Sequence, residues 1–125
     1  MRNRIAATFI ICFVVLLLSG SDQSQAQSRY DGFWSVLIVS ERGPCDQAYR
    51  YGLQIQSGRI YYGGGAGVNV SGQVGRNGSV RVTVAAGGQR ADGAGRLFDS
   101  KGEGRWRGQS STDFCSGYWI AERRG

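Results

Sequence analysis

Apolar and polar residues alternate one for one along most of the chain beyond residue 30, and turn-forming residues cut the alternation at regular intervals. A side-chain period of two marks a half-buried β-strand, whereas an amphipathic helix repeats every 3.6 residues. Trp34, Val36 and Ile38 share one face of a first strand, with Ser35 and Leu37 opposite. Tyr49, Tyr51, Leu53 and Ile55 do the same in a second strand, which Ser57-Gly58 ends. Arg59 to Tyr62 returns as a third, and the glycine-rich stretch 63–67 follows as a loop or bulge. Val68, Val70, Gly72 and Val74 lead into Asn77-Gly78, the strongest short hairpin signal, and Val80, Val82 and Val84 come after it. A sixth strand over 91–98 turns Gly93 and Gly95 inward. A seventh places Trp106 between Gly104 and Gly108, and an eighth over 113–122 alternates Cys115, Gly117, Trp119 and Ala121.

Strands this short, joined by tight turns, pair with their nearest neighbours. The expected fold class is therefore all-β: about eight antiparallel strands in an up-and-down meander, closing into a small barrel, with a β-sandwich as the alternative. Closure removes the edges through which strands recruit other chains. Side chains can fill the interior of an eight-stranded barrel, and a chain this short has little room for more, so the expectation is a filled or nearly filled interior. With 21 Gly but a single Pro, and with aromatic and branched residues in register, the composition fits neither a collagen-like repeat nor a disordered linker.

The first 26 residues belong to something else. A basic Met1-Arg2-Asn3-Arg4, an apolar run from Ile5 to Leu18 and a small polar segment have the layout of a secretory signal peptide. The run is shorter than the roughly 20 residues a membrane-spanning helix needs. Ser24-Gln25-Ala26 places cleavage after Ala26, so residues 27–125 form the expected single domain, periplasmic or secreted. Cleavage removes Cys12 and leaves Cys45 and Cys115, which in an oxidising compartment are expected to pair.

Composition excludes more chemistry than it suggests. The chain has no His, so the usual general base is missing. Pairing the two cysteines removes the thiol nucleophile, and zinc or iron lacks nitrogen and sulfur ligands. The acids are scattered, without the facing pair that glycoside hydrolysis requires. No catalytic residue, metal site or cofactor is expected. Fourteen of the 15 basic residues are Arg, a bias that a GC-rich coding sequence produces and that also suits bidentate contact with anions. Arg81, Arg90, Arg96, Arg105 and Arg107 are expected to form an outward basic stripe on neighbouring strands, with Arg81, Arg105 and Arg107 the first contacts for an anionic glycan or envelope surface; export argues against nucleic acid.

Two resemblances add to this reading. Gly32-Phe33-Trp34 near the start and Arg123 near the end, or Arg124 beside it, resemble the calycin barrels, in which an Arg of the last strand covers a Trp of the first. Asp31-Gly32-Phe33-Trp34-Ser35-Val36, with Cys115-Ser116-Gly117-Tyr118-Trp119-Ile120-Ala121-Glu122-Arg123 at the end, resembles the small exported β-domain proteins of rhizobial and related bacteria. Tyr49-Arg50-Tyr51 and Gly102-Glu103-Gly104-Arg105-Trp106 lie between. Those proteins carry labels such as exoprotein for haem utilisation or adhesion, and the resemblance implies export and a β-domain.

The function expected from the sequence is non-enzymatic: a monomeric binding or interaction module meeting a protein or an anionic surface. One alternative is a calycin-like secreted proteinase inhibitor. Another is a binder of haem or a hydrophobic ligand at the barrel rim, through Tyr61, Tyr62, Trp34 and Arg123, with tyrosine the one axial ligand type left for haem.

Overall fold

The computed structural model describes residues 29–125. The expected signal peptide, residues 1–26, lies outside them. Eight antiparallel strands form a closed barrel in chain order: β1 (Gly32–Arg42), β2 (Ala48–Gln56), β3 (Arg59–Tyr61), β4 (Val68–Val74), β5 (Ser79–Ala86), β6 (Gln89–Phe98), β7 (Lys101–Gln109) and β8 (Phe114–Arg123). β8 returns to pair with β1, so Trp34 lies between Leu53 and Arg123, and Ile38 between Tyr49 and Trp119.

The period-two pattern sets the inside. Trp34, Val36, Ile55, Ile60, Val74, Val80, Leu97, Trp119 and Ala121 form the buried core, and Ile38, Leu53, Val70, Val82 and Trp106 pack against it. Glycine makes room for the largest rings. A Cβ on Gly95 or Gly104 would stand within 2.6 Å of the Trp119 ring, so the indole occupies space that any side chain on β6 or β7 would claim.

The two ends of the barrel are built differently. At one end, residues 29–31 cross beneath the strands. The Asp31 carboxylate accepts from the Ser57 and Gly58 amides at 2.8 and 3.3 Å, holding the β2–β3 turn, where Ser57 adopts a φ of 51°. Tyr30 is buried, with its hydroxyl against the β4–β5 turn at Gly78, and its carbonyl accepts from Trp34 Nε1 at 2.9 Å. The turns are laced to the next strands by amides of Val74, Leu97 and Arg123 donating to the carbonyls of Gly58, Gly78 and Ser100. At the other end, the connections 43–47, 62–67, 87–88 and 110–113 carry fewer backbone bonds: Ser40 to Gln47 and Ser110 to Asp113.

The expected disulfide is present. Cys45, in the β1–β2 connection, is bonded to Cys115 at the start of β8, with the α-carbons 6.2 Å apart. β3 is shorter than expected: it stops at Tyr61, pairing with β2 over three residues and with β4 only at Arg59–Gln73. The glycines at 63–65 and 67 explain the stop, because glycine loses the most backbone freedom on entering a strand.

Candidate functional site

A cavity of about 470 Å³ lies inside the barrel, which corrects the expectation of a filled interior. The reason lies in where the bulk sits. Trp34 and Trp119 fill the closed half, but the walls toward the open end carry Val70, Val82, Val84, Ala86, Ala91 and Gly108, too small to meet in the middle. The floor is Trp34, Ile55, Val74, Val80 and Leu97. The mouth is edged by Pro44, Asp46, Gln89, Arg90, Gln109 and Asp113.

Polar groups on the inner wall are few. Tyr51 stacks on Tyr49 with ring centres 6.2 Å apart, and Tyr62 meets Tyr51 edge-on at 5.9 Å. Burial, and then the neighbouring Tyr49 and Tyr62, raises the Tyr51 phenol above its ordinary value of 10.0. Across the barrel, Trp106 Nε1 donates to the Val39 carbonyl at 3.1 Å. Trp119 Nε1 is buried and meets no acceptor among the described residues.

A consequence of the Tyr51 shift is measurable. Just above pH 10 the unfolded chain gives up the phenol proton while the folded barrel keeps it, so stability falls as pH rises through that window. Tyr51→Phe is expected to flatten this fall in urea-unfolding midpoints taken across the alkaline range. An unchanged slope in the variant rejects the assignment.

The structure separates the residues expected at the rim. Tyr62 lines the cavity, whereas Tyr61 pairs with Gln54 on the outer face and is exposed. Trp34 and Arg123 belong to the closed end and not to the mouth, because both sit where β1 begins and β8 finishes. The Arg123 guanidinium lies 5.0 Å from the centre of the Trp34 ring, in the arrangement the calycin resemblance implies. It donates to the carbonyls of Asp31 at 2.6 Å, Arg29 at 2.9 Å and Asp99 at 3.3 Å. Arg124 instead faces Glu122 at the surface, at 3.5 Å. Arg81, Arg105 and Arg107 all border a groove on the outer wall. The role of Tyr51 and Tyr49 in the cavity was available from strand parity, since both alternate inward with Leu53 and Ile55.

Among the described residues, no cluster of His, Cys, Asp and Glu could hold a metal ion, and no helix is long and apolar enough to cross a membrane. None of the protein-family models, curated proteins or solved structures compared with the chain matches it.

Proposed function

We propose that this chain is an exported, non-enzymatic binding protein whose barrel takes up one small, mainly apolar ligand through its open end. The supporting observation is the cavity: about 470 Å³, apolar on its walls and sealed at its floor. Sites for small molecules span roughly 300–1,000 Å³, and eight-stranded barrels either fill their interior or hold one such ligand. The few polar groups inside, the phenols of Tyr49, Tyr51 and Tyr62, suit a ligand with one or two oxygen acceptors on an apolar body. The asymmetry of the ends suits uptake, since the laced floor resists opening and the mouth is bounded by loops.

The test uses decanoate and the dye anilinonaphthalene sulfonate, followed by the fluorescence of Trp106 and Trp119. Saturable one-to-one binding of either probe is expected, with the two competing. Val84→Trp, which puts an indole between the mouth and the floor, is expected to abolish binding, while Val84→Ala keeps it. Binding that survives Val84→Trp, or that has no defined stoichiometry, rejects the cavity as the site. Haemin belongs in the same series. Tyr62 and Tyr51 are the phenols placed to reach it, and a haem spectrum unchanged by Tyr62→Phe and Tyr51→Phe counts against haem.

A further inference from the structure

The outer wall carries a second arrangement, independent of the cavity. Following the strand register outward from β3, Arg59 pairs with Gln73, Gln73 with Arg81, Arg81 with Ala94, Ala94 with Arg105, and Arg105 with Tyr118. One cross-strand row therefore bears an arginine on each alternate strand, β3, β5 and β7, and ends on an aromatic ring. The neighbouring row reads Ser71, Thr83, Asp92, Arg107, Ser116 and Arg42. The two rows border one shallow groove that holds five arginines against two carboxylates, Glu41 and Asp92.

Both carboxylates are already engaged. Glu41 accepts from Arg105 at 2.7 Å, in a pair exposed to solvent. Asp92 accepts from the Thr83 hydroxyl at 2.8 Å and from Arg90 at 3.4 Å, and these contacts, Thr83 first, lower its pKa. Arg42, Arg59, Arg81 and Arg107 have no carboxylate at ion-pair distance among the described residues. Exposed pairs contribute little and open easily, so Arg105 is available as well.

We infer that this groove binds a linear acidic polysaccharide lying across the strands. Neighbouring strands stand about 4.8 Å apart, which puts successive arginines of the row about 10 Å apart. That is the length of an extended disaccharide, so a chain with one carboxylate per disaccharide meets one arginine per repeat. Arginine suits the contact because its planar fork grips a carboxylate with two parallel hydrogen bonds. Gln73, Ser71, Thr83 and Ser116 stand between the cations as partners for sugar hydroxyls, and Tyr118 stands at the end of the row. The row follows a curved wall. A flexible chain can follow that curve, whereas a flat lipid surface touches only part of it.

The test measures binding of hyaluronan oligosaccharides, which carry one carboxylate per disaccharide, to the secreted protein. The variant Arg59→Ser/Arg81→Ser/Arg105→Ser is compared with Arg76→Ser/Arg96→Ser/Arg124→Ser, which loses the same charge outside the row. The first triple variant is expected to bind about tenfold more weakly. The second should stay within about twofold of the parent, since screening over roughly 8 Å leaves only a weak long-range effect. Neutral dextran should not bind. Equal losses in the two variants, or tighter row-dependent binding to phosphatidylglycerol vesicles, overturns the proposal. Because decanoate uptake is read separately, failure here leaves the cavity reading standing.

Discussion

Trp34→Ala is expected to destabilise the barrel by about 3–5 kcal/mol, the usual cost of truncating a buried tryptophan, a large part of the total stability of a small domain. The indole is 1% exposed and joins three parts of the floor. Its N–H holds the Tyr30 carbonyl, its face lies under the Arg123 guanidinium, and it belongs to the buried cluster that includes Ile55, Val80 and Ala121. Deleting it leaves a void, an unpaired carbonyl and a cation without its aromatic face. Arg123→Met, which keeps much of the apolar stem, should cost less, about 2 kcal/mol, because three carbonyls lose a charge-assisted donor but two can turn to water. The two changes should not add. Residues in contact show coupling of about 0.5–3 kcal/mol, so the double variant is expected to be less damaged than the sum of the singles. Urea unfolding of the four proteins measures this directly. Strict additivity would show that the Arg–Trp contact contributes nothing, whatever its geometry.

The same floor shows what could be read from the residues and what could not. Alternation placed Trp34, Val36, Val80, Trp119 and Ala121 inside, because a pleated strand has only two faces and one must be dry. The same parity, carried past Ile60, turns Tyr61 outward and Tyr62 inward, a distinction that placing both at the rim overlooked. The disulfide followed from an even count of cysteines beyond an export signal. Other features depend on closure. The carboxylate of Asp31 caps a turn 26 residues away, a contact that no local pattern encodes. The cavity escaped for a related reason. Glycine on an inner face means either space or a neighbour's ring filling it, and only the register decides which. Gly104 lies opposite Trp119, whose ring takes the place of a side chain there, whereas Gly108 lies opposite Cys115 near the mouth and lines the cavity beside the Trp106 ring. The arginine row has the same character, since Arg59, Arg81 and Arg105 fall on one line only once the register of β3 to β7 is fixed.

Removing the disulfide, by Cys45→Ser/Cys115→Ser, is expected to cost about 4 kcal/mol on the chain-entropy model, since the bond spans a sequence separation of 70 residues. The loss should be uneven across the barrel. Cys45 sits in a connection and not in a strand, so the bond holds the β1–β2 loop against β8 at the mouth, and both sulfur-bearing residues line the cavity. Among the described residues, no other covalent tie holds that end. The floor keeps its own ties through Asp31, Tyr30 and Arg123, none of which touches the bridge. Hydrogen exchange should therefore show the amide of Ser40, which donates to Gln47, and those of Phe114 to Ser116 losing protection first, with those around Trp34 opening only on global unfolding. Urea unfolding should show a lower midpoint and a steeper slope, because the unbridged chain expands further when denatured. Decanoate, if it enters by the mouth, should leave the variant faster than the parent. Loss of protection at the floor before the mouth would mean that the bridge supports the whole barrel, and the division into a fixed floor and a loop-bounded entrance would have to be given up.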